Sequence, residues 1–103
     1  LFTVINAASE SEAGHMREVD AAAALRHMMK ALKVCHDHYI GHFDVKPENF
    51  MYTNKDRVML QMIDLGLSRG FKRDLFEIRG TAEYMAPEVW DGLYGPEADV
   101  WSC

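Results

Sequence analysis

Residues 42–49 of the chain read His42-Phe43-Asp44-Val45-Lys46-Pro47-Glu48-Asn49, and Asp64-Leu65-Gly66 follows a short distance later. Pro47 argues against a regular helix through the first stretch, which we therefore expect to be a loop. Between the two stretches, residues 50–52 and 58–63 are strand candidates on either side of a turn cluster at residues 53–56. The pattern predicts a short β-hairpin with one polar loop before it and another at its end.

A long helical pattern lies ahead of the first loop, over residues 17–38. Most of its residues are good helix formers. Its apolar residues recur at intervals of four and three positions and so share one face: Ala21, Leu25, Met28, Leu32 and Cys35. Residues 1–5 could open a short helix or end a strand, and the small polar residues 6–14 indicate a surface connection. We expect residues 39–41 to end the long helix.

The chain after the hairpin is less regular. Residues 66–80 carry glycine and mixed charge without clean periodicity, which predicts a long loop. Pro87 is tolerated in the first turn of a helix, so a short helix is expected there. Residues 92–96 indicate a turn, and a further helix is expected from Ala98 onward.

The composition is that of an ordinary globular chain. It has 103 residues, 49% hydrophobic and 26% charged, with a net charge of −5 that argues against general nucleic-acid binding. No apolar run approaches the roughly 20 residues that a membrane span needs. Two cysteines, Cys35 and Cys103, favour buried, reduced thiols in an intracellular protein, with the cytoplasm the expected compartment.

Two further features of the composition bear on metal binding and completeness. His36 and His38 could form a metal pair, but the sequence offers no third ligand beside them. The chain starts at Leu1 and stops at Cys103 without a helix-stop signal, so we expect an internal piece of a longer protein.

The polar residues of the two loops suit phosphoryl transfer, which needs a held hydroxyl, metal ions and positive charge. Asp44 could orient an acceptor hydroxyl and take its proton, and Lys46 could neutralise charge on a migrating phosphoryl group. Asn49 and Asp64 offer oxygen atoms of the kind that Mg²⁺ prefers. A single Asp-x-Lys or Asp-x-Gly would carry no weight, because turns favour these residues, so the argument depends on the ordered set.

That ordered set resembles the eukaryotic protein kinases. The string of residues 42–49 is followed by Asp64 and Gly66, then Gly80-Thr81, Ala86-Pro87-Glu88 and Asp99-Val100-Trp101-Ser102. The resemblance implies an α+β fold: the mainly helical larger lobe, with a short β-hairpin carrying the catalytic loops. Residues 1–103 would be a partial kinase domain, from just after the hinge to the start of the central lobe helix. The smaller ATP-binding lobe and the final helices would be absent.

The resemblance extends to a branch of the family. Lys46 in Lys-Pro-Glu-Asn, and Gly80-Thr81 ahead of Tyr84, are similar to the serine/threonine branch. Residues 20–38 and Gly66-Leu67-Ser68 look most like the calcium/calmodulin-dependent and calcium-dependent kinases. This implies ATP and Mg²⁺ as cofactors, a protein substrate, and a possible calcium-sensing segment outside the chain.

The resemblance also implies roles for individual residues. Asp99 would anchor the backbone of the catalytic loop. The site residues would be Asp44 as catalytic base, Lys46 on the phosphate, Asn49 and Asp64 as metal ligands, Met51 under the adenine, Glu48 at the ribose or a basic substrate residue, and Thr81 as a link from the peptide-binding segment to Asp44 and Lys46.

Two departures from the family pattern stand out. Phe43 replaces an arginine that normally pairs with a phosphate on the activation segment, and phenylalanine cannot make that charge-assisted bond. Ser68 is the only hydroxyl-bearing residue between Gly66 and Gly80. We therefore predict that phosphorylation of this segment does not switch activity. Leu65 replaces the usual phenylalanine and could still pack against His42.

Three functions remain open at this point. The first is an active serine/threonine kinase seen in part, in which ATP-Mg²⁺ binds between two lobes. The second is a pseudokinase that acts as a binding or scaffold module, for which Phe43 and Leu65 are the hints. The third is a truncated or misassembled product with no function of its own. Retention of Asp44, Lys46, Asn49 and Asp64 favours the first.

Overall fold

The computed structural model describes residues 1–10, 14–54, 56, 59–71 and 77–103. Its four helices in these ranges are α1 (Phe2–Ser9), α2 (Glu18–Asp37), α3 (Pro87–Trp90) and α4 (Glu97–Trp101). The four strands there are β1 (Ile40–Gly41), β2 (Phe50–Tyr52), β3 (Leu60–Met62) and β4 (Arg69–Gly70). A 3₁₀ turn at Pro47–Asn49 stands directly before β2, and another at Ala82–Tyr84 ends two residues before α3.

The predicted long helix is confirmed as α2, and its expected apolar face is confirmed at Met28 and Leu32 only. Ala24, Met28 and Leu32 are buried, whereas Ala21 and Leu25 are exposed. The apolar residues of α2 form two adjacent stripes, and a period of 3.6 residues fits both of them. The exposed Ala21 and Leu25 line an open apolar groove of about 360 Å³, together with Ala24 and Met28.

The predicted hairpin is confirmed as β2 and β3, which pair antiparallel with Phe50 opposite Met62 and Tyr52 opposite Leu60. Residues 55, 57 and 58 of its expected turn and second strand lie outside the described residues. Because side chains alternate between the faces of a strand, Phe50 and Leu60 turn to one side. There they join Val45 and the buried residues of α2 in the larger of the two apolar clusters that the described residues form.

A second strand pair was not expected from the sequence. β1 pairs antiparallel with β4, so Ile40 lies opposite Gly70 and Gly41 opposite Arg69. The predicted loop over residues 66–80 is thus wrong at residues 69–70, and residues 72–76 lie outside the described part. Residues 39–41 do follow the end of the long helix, but Ile40 and Gly41 also form β1, which the sequence did not predict. Two-residue strands leave no periodicity that a sequence pattern could detect.

The chain ends differ in how well they were predicted. Residues 2–5 are helical, and α1 continues to Ser9, so the surface connection starts later than the predicted residue 6. The short helix at Pro87 and the helix at Ala98 are confirmed, although α4 already begins at Glu97. The predicted turn over residues 92–96 is confirmed at Gly92 and Pro96, but Tyr94 between them forms an isolated β-bridge. A second apolar cluster joins these elements to Phe43 through Ala86, Val89, Tyr94 and Ala98.

Two composition-based expectations can be compared with the structure. Cys35 and Cys103 are both free thiols, but Cys35 is half-buried and Cys103 exposed, so the expectation of burial is wrong. None of the helices in the described ranges is both long enough and apolar enough to cross a membrane.

Candidate functional site

The carboxylate of Asp44 lies at the centre of a hydrogen-bonded group. Its Oδ1 accepts a hydrogen bond of 2.6 Å from the hydroxyl of Thr81. Its Oδ2 accepts one of 3.0 Å from Nδ2 of Asn49 and lies 3.0 Å from Nζ of Lys46. The side chains of Thr81, Asn49 and Lys46, which the sequence predicts for one site with Asp44, therefore surround its carboxylate.

Lys46 connects two separate parts of this group. Its Nζ donates a hydrogen bond of 2.7 Å to the hydroxyl of Thr81, which in turn donates to Asp44. The side chains of Lys46 and Asp44 are only 23% and 12% exposed. Since water has limited access to these charges, their attraction is less screened than that of a surface ion pair.

Asn49 fixes the shape of the loop as well as the carboxylate. The residue is buried, and its Nδ2 also donates a hydrogen bond of 2.7 Å to the backbone carbonyl of Asp44. The 3₁₀ turn Pro47–Asn49 places it there, because Pro47 supplies a fixed φ at the start of the turn. One amide group thereby holds both the main chain and the side chain of Asp44.

The surroundings of Asp44 determine its protonation. Burial alone would raise its pKa, but the hydrogen bonds from Thr81, Lys46 and Asn49, together with the positive charge of Lys46, outweigh burial. The pKa of Asp44 is therefore held below its ordinary value, and the carboxylate is ionised at neutral pH. An ionised carboxylate can accept a hydrogen bond from an incoming hydroxyl.

The hairpin brings Asp64 to the open end that carries Asn49. The amide of Ile63 donates a hydrogen bond of 3.0 Å to the carbonyl of Asn49, and Asp64 is the next residue. The carboxylate of Asp64 is exposed, and its Oδ1 accepts a hydrogen bond of 2.7 Å from the amide of Gly66. That bond orients the side chain and leaves Oδ2 for another ligand.

The oxygen atoms at this end suit a small divalent cation that is shared with a phosphate. Both side-chain hydrogen bonds that hold Asn49 to Asp44 use its nitrogen, which leaves the side-chain oxygen for another partner. Within the described ranges, no group of three His, Cys, Asp or Glu residues could hold a metal ion. Mg²⁺ commonly takes one or two protein carboxylates and completes its shell with phosphate and water, so the pair Asn49 and Asp64 fits it.

Asp99 holds the backbone of the loop formed by residues 42–49. It is 1% exposed, and its two carboxylate oxygens accept hydrogen bonds from the backbone amides of His42 (2.8 Å) and Phe43 (2.7 Å). His36 Nε2 lies 2.8 Å from Oδ2 of the same carboxylate. The anchoring position that the resemblance implied for Asp99 is thus where the structure places it.

Met51, Glu48 and Leu65, which were also expected to contact a ligand or a neighbouring residue, lie at the edge of the hydrogen-bonded group around Asp44 or outside it. Met51 is 53% exposed on the outer face of β2, where it is open to a ligand. Glu48 is exposed on the 3₁₀ turn. Leu65 is 55% exposed and His42 1% exposed, so the expected packing of Leu65 over His42 leaves much of the leucine uncovered.

Two contacts that shape the site were not found from the sequence. His36 was considered as a metal ligand, yet its ring nitrogen meets Asp99 across 63 positions of the chain. The hydroxyl of Tyr94 donates a hydrogen bond to the backbone carbonyl of Glu77. Neither pairing leaves a local signal, because each joins residues that only the folded chain brings together.

The fold and the site define a class of protein. The chain belongs to the protein kinase domain family, whose sequence model matches residues 1–103. The prediction of the family is therefore confirmed.

Several curated relatives point to one branch of that family. The chain is 49% identical to calcium-dependent protein kinase 8 of Oryza sativa subsp. japonica over 92 residues, 86% of this chain and 17% of the relative. It is 48% identical to calcium-dependent protein kinase 32 of Arabidopsis thaliana, with the same coverage. The resemblance to this branch is confirmed, and the chain spans about 17% of the length of these relatives.

Proposed function

We propose that the chain is part of the catalytic domain of a serine/threonine protein kinase, which transfers the γ-phosphoryl group of ATP to a protein hydroxyl. The observation that carries this proposal is the ionised carboxylate of Asp44, held at once by Lys46, Asn49 and Thr81. An acceptor hydroxyl that donates to this carboxylate would be aimed by it and would lose its proton to it.

The neighbouring residues would act on the nucleotide. Lys46 supplies a positive charge beside Asp44, where the migrating phosphoryl group would pass. The oxygens of Asn49 and Asp64 would hold Mg²⁺, which when bound neutralises charge on the phosphates. Met51 offers an exposed apolar surface suited to the adenine ring, and Glu48 an exposed carboxylate for the ribose or a basic substrate residue.

The proposal covers only part of a catalytic domain. We assign residues 1–103 to the larger lobe, from just after the hinge to the start of the central lobe helix. ATP binding draws on groups from both lobes of a kinase, so this stretch is not expected to phosphorylate a substrate by itself. The coverage of 17% of the relatives is consistent with a further ATP-binding lobe in the complete protein.

The branch of the family suggests how the complete protein is controlled. The relatives are named calcium-dependent protein kinases, so we propose that a calcium-sensing segment outside residues 1–103 regulates activity. An intracellular location, in the cytoplasm, follows from the same proposal, because ATP and a calcium signal are available there.

The test is an assay of the complete protein with ATP, Mg²⁺ and a general protein substrate, with and without added Ca²⁺. We expect Mg²⁺-dependent transfer of labelled phosphate, recovered as phosphoserine and phosphothreonine, and a gain in rate on adding Ca²⁺. Tight binding of ATP with no transfer under any condition would favour the scaffold function instead. Label recovered on tyrosine alone would contradict the serine/threonine assignment.

A further inference from the structure

Phe43 occupies an unusual place in the catalytic loop. It is a non-glycine residue with a positive φ of 61°, and its side chain is only 5% exposed. Its ring meets that of Tyr94 edge to face, with 5.4 Å between the ring centroids. A residue directly beside Asp44 is thus built into the apolar cluster formed with Ala86, Val89 and Ala98.

The ring of Phe43 also requires the glycine two positions before it. A Cβ atom built on Gly41 would lie 2.1 Å from the tip of the ring, well inside van der Waals contact. The ring is buried, so it could not move aside without leaving the apolar cluster. A Cβ on Gly70, on the neighbouring strand, would meet only the carbonyl of Tyr39 at 3.6 Å, an ordinary contact. The buried position of the Phe43 ring therefore requires a glycine at residue 41, whereas it places no such demand on residue 70.

The same aromatic pair holds the segment that leads to Thr81. The hydroxyl of Tyr94 donates a hydrogen bond to the carbonyl of Glu77. The carbonyl of Phe43 lies 2.7 Å from where a Cβ of Gly80 would be, and Gly80 has a positive φ of 113°. Residues 77–80 are thus held at two points, by the hydroxyl of Tyr94 at Glu77 and by the backbone of Phe43 at Gly80. Thr81, with its bonds to Lys46 and Asp44, is the next residue.

We propose that Phe43 and Tyr94, accommodated by Gly41, form an aromatic clasp that positions Thr81 and Asp44 for phosphoryl transfer. The clasp consists of ring packing, one hydroxyl hydrogen bond and a close backbone approach, none of which needs a charge or a phosphate. It keeps residues 77–81 seated without a phosphate on the segment. The inference rests on the proposed function for its effect on rate, but the seating of the segment can be measured without activity.

The test compares two glycine-to-alanine variants of the complete protein. Gly41→Ala pushes the ring of Phe43 out of the clasp, so we expect hydrogen–deuterium exchange of residues 77–81 to become faster. Because small displacements of positioning groups lower rates by up to about a hundredfold, we expect kcat to fall by about tenfold or more. The KM for ATP should stay within about twofold, since the clasp does not touch the nucleotide groups. The matched control Gly70→Ala should change neither exchange nor kcat.

A double variant tests whether the ring causes the effect. With Phe43→Ala already in place there is no ring to displace, so adding Gly41→Ala should change neither exchange nor kcat further. Equal effects of Gly41→Ala with and without the ring would overturn the proposal, as would equal effects of Gly41→Ala and Gly70→Ala.

Two further measurements keep the test decisive. If Gly41→Ala fails to fold, Tyr94→Phe can replace it, because this variant keeps both rings and removes only the bond to Glu77. Hydrogen–deuterium exchange of residues 77–81 should then still become faster. Unchanged exchange would contradict the clasp. If the wild-type complete protein transfers no phosphate, the proposed function fails. The exchange measurements then still support or reject the clasp independently.

Discussion

The hydroxyl of Thr81 donates a hydrogen bond of 2.6 Å to Oδ1 of Asp44, across 37 positions of the chain. Thr81 also accepts a hydrogen bond from Lys46, so a single hydroxyl joins Asp44 and Lys46 in the loop of residues 42–49. These two bonds fix the position of the segment that carries Thr81 relative to the loop that carries Asp44. Loss of this hydroxyl should disturb the reacting groups without removing either.

Thr81→Val keeps the shape of the side chain and removes the hydroxyl. We expect it to lower kcat of the complete protein by about tenfold to a hundredfold, because Asp44 and Lys46 lose the group that aligns them. Thr81→Ser restores the hydroxyl and should stay within about threefold of wild type. Steady-state kinetics with a protein substrate measures both, and equal losses in the two variants would show that the hydroxyl is not responsible.

Asp99 should matter for stability. Asp99→Ala strands the buried amides of His42 and Phe43, so we expect a loss of about 2–6 kcal/mol of unfolding free energy, at about 1–3 for each donor. Asp99→Asn keeps one acceptor oxygen and should lose less. Denaturant unfolding of the complete protein measures the difference, and a loss below about 0.5 kcal/mol for alanine, typical of a surface site, would contradict this role.

The lowered pKa of Asp44 predicts a specific pH dependence. A carboxyl group whose folded pKa lies below its unfolded value stabilises the folded state above the unfolded pKa of about 3.9. That contribution is lost as the pH falls through the folded pKa, because the unfolded chain binds its proton first. Asp44→Asn cannot titrate, so its unfolding free energy should fall less steeply between about pH 5 and about pH 3. Parallel pH profiles for the two proteins would contradict the lowered pKa.

Asp64 should set the magnesium requirement. Asp64→Ala removes the only carboxylate of the proposed cation pair, so we expect half-maximal activity to need at least about tenfold more Mg²⁺. Asp91→Ala, which removes an exposed carboxylate at the end of α3, should leave the requirement unchanged. Titration of activity with MgCl₂ at fixed ATP distinguishes the two. An identical shift in both variants would indicate a general charge effect.

Local patterns predicted the parts of the site that lie close together in the chain. Pro47 and the strand candidates on either side of the turn gave the loop and the hairpin, and these alone bring Asn49 and Asp64 to one end. The long helix α2 followed from its good helix formers. Its buried face followed in part: Met28 and Leu32 were on the predicted face, but adjacent stripes at Ala21 and Ala24 fit a helical period equally well.

Contacts between distant parts of the chain could not be predicted in this way. The position of Thr81 beside Asp44 was implied by the family resemblance alone, since no spacing rule links residues that far apart. The strand pair of β1 and β4 and the bond from Tyr94 to Glu77 had no signal at all. They depend on backbone pairing and on packing around Phe43, which only the three-dimensional arrangement specifies.

The most direct test of the central claim is turnover of the complete protein with Asp44→Asn. In the proposed mechanism this carboxylate orients the acceptor hydroxyl and takes its proton, so we expect kcat to fall by about a hundredfold to ten-thousandfold. Nucleotide affinity, measured separately by calorimetry, should stay within about threefold, because Asn49 and Asp64 remain. Turnover equal to that of wild type would contradict the account.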